Sequence, residues 1–499
     1  MLKTDILIIG TGIAGLSFAI KTAMKRKDIS ITIMTKELAE TSNTRHAQGG
    51  IAVVIDRLKD SFEQHINDTL KSGGGHCDPN IVEMVVRQAP ERLQELIDLG
   101  VAFDKNNVDW DLALEGGHSQ YRIMHHKDIT GLEIERTLLR TIKQFDNITL
   151  LENHYVIDLL TEKSQYNYGC VGAFYFDSEN MTRCIRSKVT VISTGGCGQI
   201  FKNTTNAQIA TGDGVAIAHR ANAKIQDMQY IQFHPTAMYE PDKNPCFLLS
   251  EALRGFGAHI LNELGKRFLF AYDVRGEMAT RDVVSKAIVE ELQRSGQSHC
   301  YLDCRHLDDD AFKNHFQSIY AYCINKGIDP LVDLLPIVPV AHYQCGGITV
   351  NKHAQTTING LYAIGECART GLHGKNRLAS NSLLEAVVFA HQAAEKICDT
   401  IDDISHSSIV YVNKYNSLKP ASENQKIAEI KENLKQVFER YHVDNAQEKA
   451  LSDIKSLEEI TNKIFQQESI SKPIIEVINM LTVGSLIVEH AKHNNLITF

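Results

Sequence analysis

Asp5-Ile6-Leu7-Ile8-Ile9 is a nearly continuous apolar run, the pattern of a parallel strand buried on both faces. It leads into Gly10-Thr11-Gly12-Ile13-Ala14-Gly15, and an apolar-periodic helix follows to about Lys25. Ser30 to Met34 reads as a second strand. Helix and strand patterns then alternate to about residue 240, with a helix over 80–99 and a strand over 189–193. Residues 241–344 read differently, with turn signals at Pro241, Pro245 and Gly265 and a helical pattern from Arg281 to Arg294. Glycine-rich strand–turn features return at Gly346 and run to about Ala394, so the middle segment is an insertion. Beyond 400, Ser405, Ser407 and Ser408 suggest a linker, and Ile427, Ile430, Leu434, Val437, Phe438 and Tyr441 fall on one helical face. Asp444 and Asn445 could cap a second helix, and Ser471-Lys472-Pro473 opens a third. The predicted organisation is α/β: one domain over 1–240 and 345–395, an insertion over 241–344, and a small helical bundle over 400–499.

Composition narrows the class. At about 150 residues per domain, 499 residues suggest two to four domains. Hydrophobic residues at 43% and charged residues at 23% exclude disorder, collagen-like repeats and small disulfide scaffolds. A net charge of −9 without long charged blocks argues against general nucleic-acid binding. No uninterrupted apolar run approaches the roughly 18 residues of a membrane span. The apolar stretch after Lys3 runs straight into structural-looking glycines, which argues against a signal peptide. Eleven cysteines without a Cys-x-x-Cys pair suggest reduced thiols in a cytosol, with no iron–sulfur or other metal site.

Three glycine elements point to a dinucleotide. Gly10, Gly12 and Gly15 form G-x-G-x-x-G: a tight turn, a close backbone approach to pyrophosphate, and close helix–strand packing. The acidic residue expected at the end of the second strand is missing, since Thr35 and Lys36 stand there and Glu37 comes slightly late. Ala210-Thr211-Gly212-Asp213-Gly214 begins a predicted helix reaching Ala223, and Gly360-Leu361-Tyr362-Ala363-Ile364-Gly365-Glu366 reads as strand, turn, then acid. FAD suits such a set better than a nicotinamide, because a flavin stays bound as the resident redox group. Between these elements lie Glu115-Gly116-Gly117-His118 with Arg122, Gln232 to Thr236, Ser250-Glu251 with Arg254, Arg281-Asp282, His342, and Lys375-Asn376-Arg377. Scattered arginine and histidine donors of this kind make sense if they converge on a substrate with two carboxylates.

Five ordered blocks carry a family resemblance: Ala47-Gln48-Gly49-Gly50; Glu115 to Ser119; Gln232 to Thr236; Thr280-Arg281-Asp282-Val283-Val284; and Asn376 to Glu385. Through roughly residues 1–395 the chain resembles the L-aspartate oxidases of the flavoprotein family that includes the flavin subunits of succinate dehydrogenase and fumarate reductase. The resemblance implies an FAD-binding Rossmann-like domain interrupted by an α+β capping domain, followed by a C-terminal helical bundle. It implies FAD contacts from Gly10, Gly12, Ile13, Ala14, Gly15, Thr35 and Lys36, and from Asn43, Thr44, Ala47, Gln48, Gly49 and Gly50. Further contacts would come from Thr194, Gly195, Gly196, Thr205, Asn206, Gly212 and Asp213, and from Gly365, Glu366, Ser380, Asn381, Ser382 and Leu383. His234, His342 and Arg377 would hold the carboxylates, helped by Ser250 and Gln232. Arg281 would be the acid/base residue, fed through Glu251 and Arg254, and the helix starting at Ser380 would face the flavin.

Two positions choose the branch. A histidine five places before Gln48 carries FAD covalently in the membrane-complex subunits; Asn43 stands there, so noncovalent FAD is expected. Glu115 can pair with the α-ammonium that separates aspartate from succinate. The implied reaction oxidises L-aspartate to iminoaspartate by hydride transfer to the flavin, with O2 (giving hydrogen peroxide) or fumarate (giving succinate) as acceptor. Whether Arg281, His342 or water takes the amine proton stays open. The pathway implied is quinolinate synthesis for NAD, with quinolinate synthase a possible partner; a fumarate reductase or succinate dehydrogenase flavin subunit is the alternative. Departures from the family pattern are Phe256 for a usual glutamate, Ser250 for threonine, and Lys375, which would add positive charge beside the dicarboxylate site.

Overall fold

The computed structural model describes residues 2–163, 168–241, 243–407, 424–441, 446–467 and 470–494. Ser408, Asp444, Asn445 and the Tyr441 side chain lie outside the described residues.

The main sheet contains β1 (Leu2–Ile9), β2 (Ile31–Met34), β3 (Ile148–Leu151), β4 (Tyr155–Lys163), β5 (Tyr168–Phe176) and β6 (Thr182–Ile192), in the order β3-β2-β1-β6-β5-β4. The strands from β3 to β6 in that order run parallel, while β5 and β4 add antiparallel. β6 divides its partners: its first half pairs with β5, and Thr190, Val191 and Ile192 pair in parallel with the strand Leu361–Ala363. The predicted first strand has the burial its apolar run demands. Ile6 and Ile8 pack on one face against α1 (Ile13–Lys25), whose Leu16 and Phe18 are buried with them. Leu7 and Ile9 face the other way, toward Val215 and Ile217 of α2 (Asp213–Arg220). That helix stops at Arg220, short of the predicted Ala223, because Ala221 closes it and Asn222 turns left-handed at φ 60°.

The inserted segment builds its own core on an antiparallel sheet, β7 (Ile231–Met238), β8 (His259–Leu261), β9 (Cys300–Asp303) and β10 (Leu335–Gln344), ordered β7-β10-β9-β8. α3 (Arg281–Ser295) buries Val284, Ala287 and Ile288 in that core. β7 precedes the expected boundary at 240, yet it pairs with β10 at the far end of the insertion. Its Ile231 and Phe233 pack in the core of the main sheet and its Met238 in the core of the inserted segment. Cap and main domain are therefore joined by a shared strand pair rather than by two loops.

α4 (Asn381–Thr400) returns beneath the main sheet with Leu384, Val388 and Phe389 buried. The tail forms α5 (Asn424–Tyr441), α6 (Gln447–Gln467) and α7 (Lys472–Asn494). The predicted face holds: Ile427, Ile430, Leu434, Val437 and Phe438 are buried. They share a core with Leu7 and Val215, so the bundle covers one face of the main sheet. Residues 472–492 are long and apolar enough to cross a membrane, with mean hydropathy 1.5, which apolar-run counting did not signal. In the fold 67% of that stretch is buried, as in the core helix of a globular unit.

Candidate active site

One cavity of about 410 Å³ opens at the carboxyl ends of the parallel strands, where Gly10, Thr35, Ser193 to Gly195 and Gly365 line it. Gly10 adopts φ 111°, and a Cβ there would meet the Ser193 carbonyl oxygen at 2.3 Å. Gly15 does not line the cavity; its place is packing, since a Cβ would fall 2.4 Å from the Gly10 oxygen. α1 begins at Gly12 with no side-chain cap and no acid in its first turn, and only the Ile13 amide takes a side-chain acceptor, Thr44 Oγ1 at 3.0 Å. Such an open N-terminus receives phosphate. Gln48 Oε1 and Asn206 Oδ1, both on residues of the cavity wall, are buried without a protein partner. The glycine cradle, the open helix end and these unpartnered polar atoms fit FAD.

Lys36 replaces the missing acid with an ion-pair cluster. Its Nζ donates to Asp213 Oδ2 at 2.7 Å, Thr211 Oγ1 at 2.7 Å and Glu476 Oε1 at 3.1 Å. Asp213 Oδ1 accepts from Tyr155 Oη at 2.9 Å and Asn479 Nδ2 at 2.8 Å. Burial opposes the charge on Lys36, but Asp213 and Glu476 outweigh it and hold the ammonium above its usual range. Glu37 turns away to pair with Lys472.

At the other end the charges are cationic and less fully matched. Arg281 Nε donates to Glu251 Oε2 at 2.5 Å and its NH1 to Gln232 Oε1 at 3.1 Å. Arg254 pairs with the second Glu251 oxygen at 2.7 Å. Burial alone would raise the Glu251 carboxyl, yet Arg254 and Arg281 hold it below the ordinary range. The Arg377 guanidinium lies 4.4 Å from the Tyr343 ring centroid and donates to Ser382 Oγ at 3.1 Å, leaving its buried Nε without a partner. Burial and the neighbouring Arg281 bring Arg377 down to about 10.

His234 Nδ1 accepts the Thr236 amide at 3.2 Å, which places the ring proton on Nε2, and that atom is buried without a protein partner. His342 Nδ1 meets Thr205 Oγ1 at 2.7 Å, and the two imidazoles stand 5.0 Å apart. Burial, then Arg281, holds both well below the usual histidine range, so both are neutral. Glu115, in the same wall, forms no ion pair with an arginine among the described residues. Its Oε2 accepts from Ser380 Oγ at 2.5 Å, and burial followed by Glu251 pushes its carboxyl up. A Cβ at Gly49 would come 2.8 Å from Glu115 Oε1, so a side chain there would displace the Glu115 carboxylate. Two arginines and two neutral imidazoles beside the Glu115 carboxylate can hold a small dianion that also carries a cation.

Of the sequence candidates, Glu115, His234, Ser250, Glu251, Arg281, His342 and Arg377 line the cavity. Gln232 and Arg254 do not: Gln232 gives its amide to Asn376 Oδ1 and the Arg377 carbonyl, both at 2.7 Å, and so holds two arginines from behind. Ile13, Ala14, Thr35, Lys36, Asn43, Thr44, Ala47 to Gly50, Thr194, Gly195, Thr205, Asn206, Asp213, Gly365, Glu366, Ser380, Ser382 and Leu383 line it as well. Gly196, Gly212 and Asn381 stand behind it. Gly196 leaves room for Glu366, whose carboxyl burial raises to about 7, Gly212 supplies φ 76° to start α2, and Asn381 accepts from His65 at 2.9 Å. The positive charge expected from Lys375 does not reach the wall, because its stem packs over Gly74. Phe256 packs against His315 and Phe316 in the cap. Sequence reasoning missed Tyr343 under Arg377 and Tyr155, Glu476 and Asn479 around Lys36. Tyr343 adjoins His342 in an apolar strand and could have been singled out; Glu476 lies 440 residues from Lys36 and carried no local signal.

Comparison with known proteins agrees with this geometry. The FAD binding domain family matches residues 5–383. The L-aspartate oxidase of Vibrio cholerae is 37% identical over 98% of this chain and 93% of its own length. The chloroplastic L-aspartate oxidase of rice is 43% identical over 80% of this chain, and the match spans 63% of the plant protein. Among solved structures, an E. coli quinol fumarate reductase chain superposes with a TM-score of 0.87 at 27% identity, covering 98% of this chain and 89% of that one. The cavity wall and the near end-to-end bacterial match lead to one assignment: the chain belongs to the L-aspartate oxidase family of FAD-binding proteins.

Proposed function

We propose that this chain oxidises L-aspartate to iminoaspartate with FAD held noncovalently. The observation that carries the reading is Glu115, a carboxylate no arginine claims, facing a wall of Arg281, Arg377, His234 and His342. A dicarboxylate alone would be repelled by Glu115; an α-ammonium beside the carboxylates makes the acid an asset.

Arg377 and the Nε2–H of His234 bind the carboxylates, and His342 is held by Thr205 against the same anion. Arg281, fixed from two sides by Glu251 and Gln232, orients the substrate at its reacting end, with the Glu251–Arg254 pair leading away from the cavity. Gly10, Gly12, the α1 amides and the start of α4 would hold FAD, which supplies the hydride acceptor for the α-carbon. The α4 N-terminus carries no acid in its first turn and favours negative charge near it. O2, giving hydrogen peroxide, or fumarate, giving succinate, takes the two electrons. Asn43 lines the wall where a covalent histidine would be needed, and its Oδ1 accepts the Ala207 amide at 2.8 Å. The product is a candidate substrate for quinolinate synthase in NAD synthesis. Eleven free cysteines fit a reducing compartment such as a cytoplasm, although the rice relative is chloroplastic.

Glu115→Gln tests the reading. kcat/KM for aspartate oxidation, followed as peroxide, should fall by about 100-fold, while dye-linked fumarate reduction changes by less than about threefold. Equal losses on both substrates overturn it. Acid precipitation of the wild type should leave yellow flavin in solution; flavin in the pellet together with activity only on succinate would favour a respiratory flavin subunit.

A further inference from the structure

Next to the cavity lies a buried polar cluster that the reaction does not use. Arg122 is fully buried and engages all five of its N–H groups. Nε and NH2 grip Asp60 at 2.8 and 2.9 Å, NH1 donates to Asp68 at 2.6 Å and to His118 Nδ1 at 3.0 Å, and NH2 also reaches Ser119 Oγ at 3.3 Å. A guanidinium can only donate, so His118 Nδ1 must accept, and the imidazole proton sits on Nε2. That proton is donated to the Ala379 carbonyl at 2.9 Å.

Ala379 opens the turn that starts α4. The next residue, Ser380, has φ 57°, a left-handed conformation unfavourable for a side chain larger than glycine. Its Oγ accepts the Gly50 amide at 3.1 Å and donates to Glu115 at 2.5 Å. The residue after it, Asn381, accepts from His65 Nε2 at 2.9 Å and donates to Thr69 Oγ1 at 3.0 Å. The strained serine is thus clamped on both sides by fixed side chains, and its hydroxyl faces the Glu115 carboxylate of the cavity wall.

We propose that His118, with its tautomer set by Arg122, is a positioning residue: it holds the Ala379–Ser380 turn so that Ser380 fixes the Glu115 carboxylate, and thereby sets the preference for an amino-dicarboxylate over a plain dicarboxylate. The selectivity clause rests on the reading of Glu115 given above; the geometric clause does not. Protonation of His118 would set two donors against each other, and burial together with Arg122 holds the ring down to about 4, so the tautomer persists at neutral pH.

The test uses the FAD-loaded protein and two amide replacements. His118→Asn keeps an acceptor for Arg122 but is too short to reach Ala379; His118→Gln carries an N–H where Nε2 stands. With FAD content unchanged, His118→Asn should lower kcat/KM for aspartate by at least about tenfold and fumarate reduction by less than about threefold. His118→Gln should stay within about threefold of wild type on both. Ser380→Ala, which leaves the Arg122 cluster intact, should reproduce the His118→Asn pattern even where the latter does not fold. Equal losses on both substrates in His118→Asn, or no loss, overturn the proposal. Crystal structures of the variants decide the geometric clause without turnover: the Ser380–Glu115 contact should be lost in His118→Asn and kept in His118→Gln, and its survival in His118→Asn refutes the positioning role. Wild-type protein inactive on aspartate would remove the Glu115 reading, while the crystal structures would still decide the positioning role.

Discussion

At the proposed nucleotide end of the cavity, Lys36 is matched by Asp213 and Glu476, and Asp213 by Tyr155 and Asn479. At the proposed substrate end, Arg281 and Arg377 stand with two neutral imidazoles, and of the described residues Glu251 is the one committed to neutralising Arg281. One end has balanced its charges before any ligand arrives, and the other has left them open. A ligand at the first end must be recognised by backbone amides, helix N-termini and shape, whereas at the second, charge and hydrogen bonds choose it. The contrast separates retention of a resident group from selection of a passing one.

The largest expected break in this contrast is Arg281→Leu. Aspartate turnover should fall by about 1,000-fold with FAD content unchanged, measured as peroxide release alongside the flavin absorbance. Glu476→Gln acts at the opposite end: titration of apoprotein with FAD should show a Kd raised by about tenfold, while KM for aspartate at saturating FAD stays put. A change in aspartate KM there would mean the two ends are not independent.

The pH profile sharpens the comparison. The Glu115 carboxyl is raised by burial and Glu251, and it pairs with an ammonium only when ionised. The acid limb of kcat/KM for aspartate should therefore lie above the ordinary carboxylate value of 4.5, with activity lost as pH falls through the raised value, and that limb should be missing for fumarate reduction. The smallest effect belongs to Lys375→Ala, whose side chain packs over Gly74 away from the wall. Aspartate kcat/KM should stay within about twofold, since a surface charge at that remove is screened.

The parts of this design legible in the sequence are the local ones. Strand, Gly10-Thr11-Gly12 and helix follow each other within one stretch, and the apolar face from Ile427 to Phe438 repeats within one helix. Arg281, His234 and Arg377 stand out because their residue types suit a dianion and their blocks match a family. What stays hidden is the work of side chains facing partners far away in the chain. Gln232 looks like a ligand until its amide is seen gripping Asn376 and Arg377. Lys36 looks like a missing acid until Glu476 arrives from the tail. The shared sheet is equally invisible, because pairing Ile231–Met238 with Leu335–Gln344 depends on register across some hundred residues and not on either strand alone.

The divided pairing of Thr182–Ile192 also bears on how the protein is made. Its last three residues wait for Leu361–Ala363, which leave the ribosome only after the whole cap has been synthesised. Until then the floor of the cavity lacks its last parallel strand and the Gly365 turn, and the tail that answers Lys36 is later still. Every residue of the cavity wall is therefore available only once the chain through Ala386 has been made: a nascent chain displaying Gly10 and Gly12 has part of the cradle and nothing to close it.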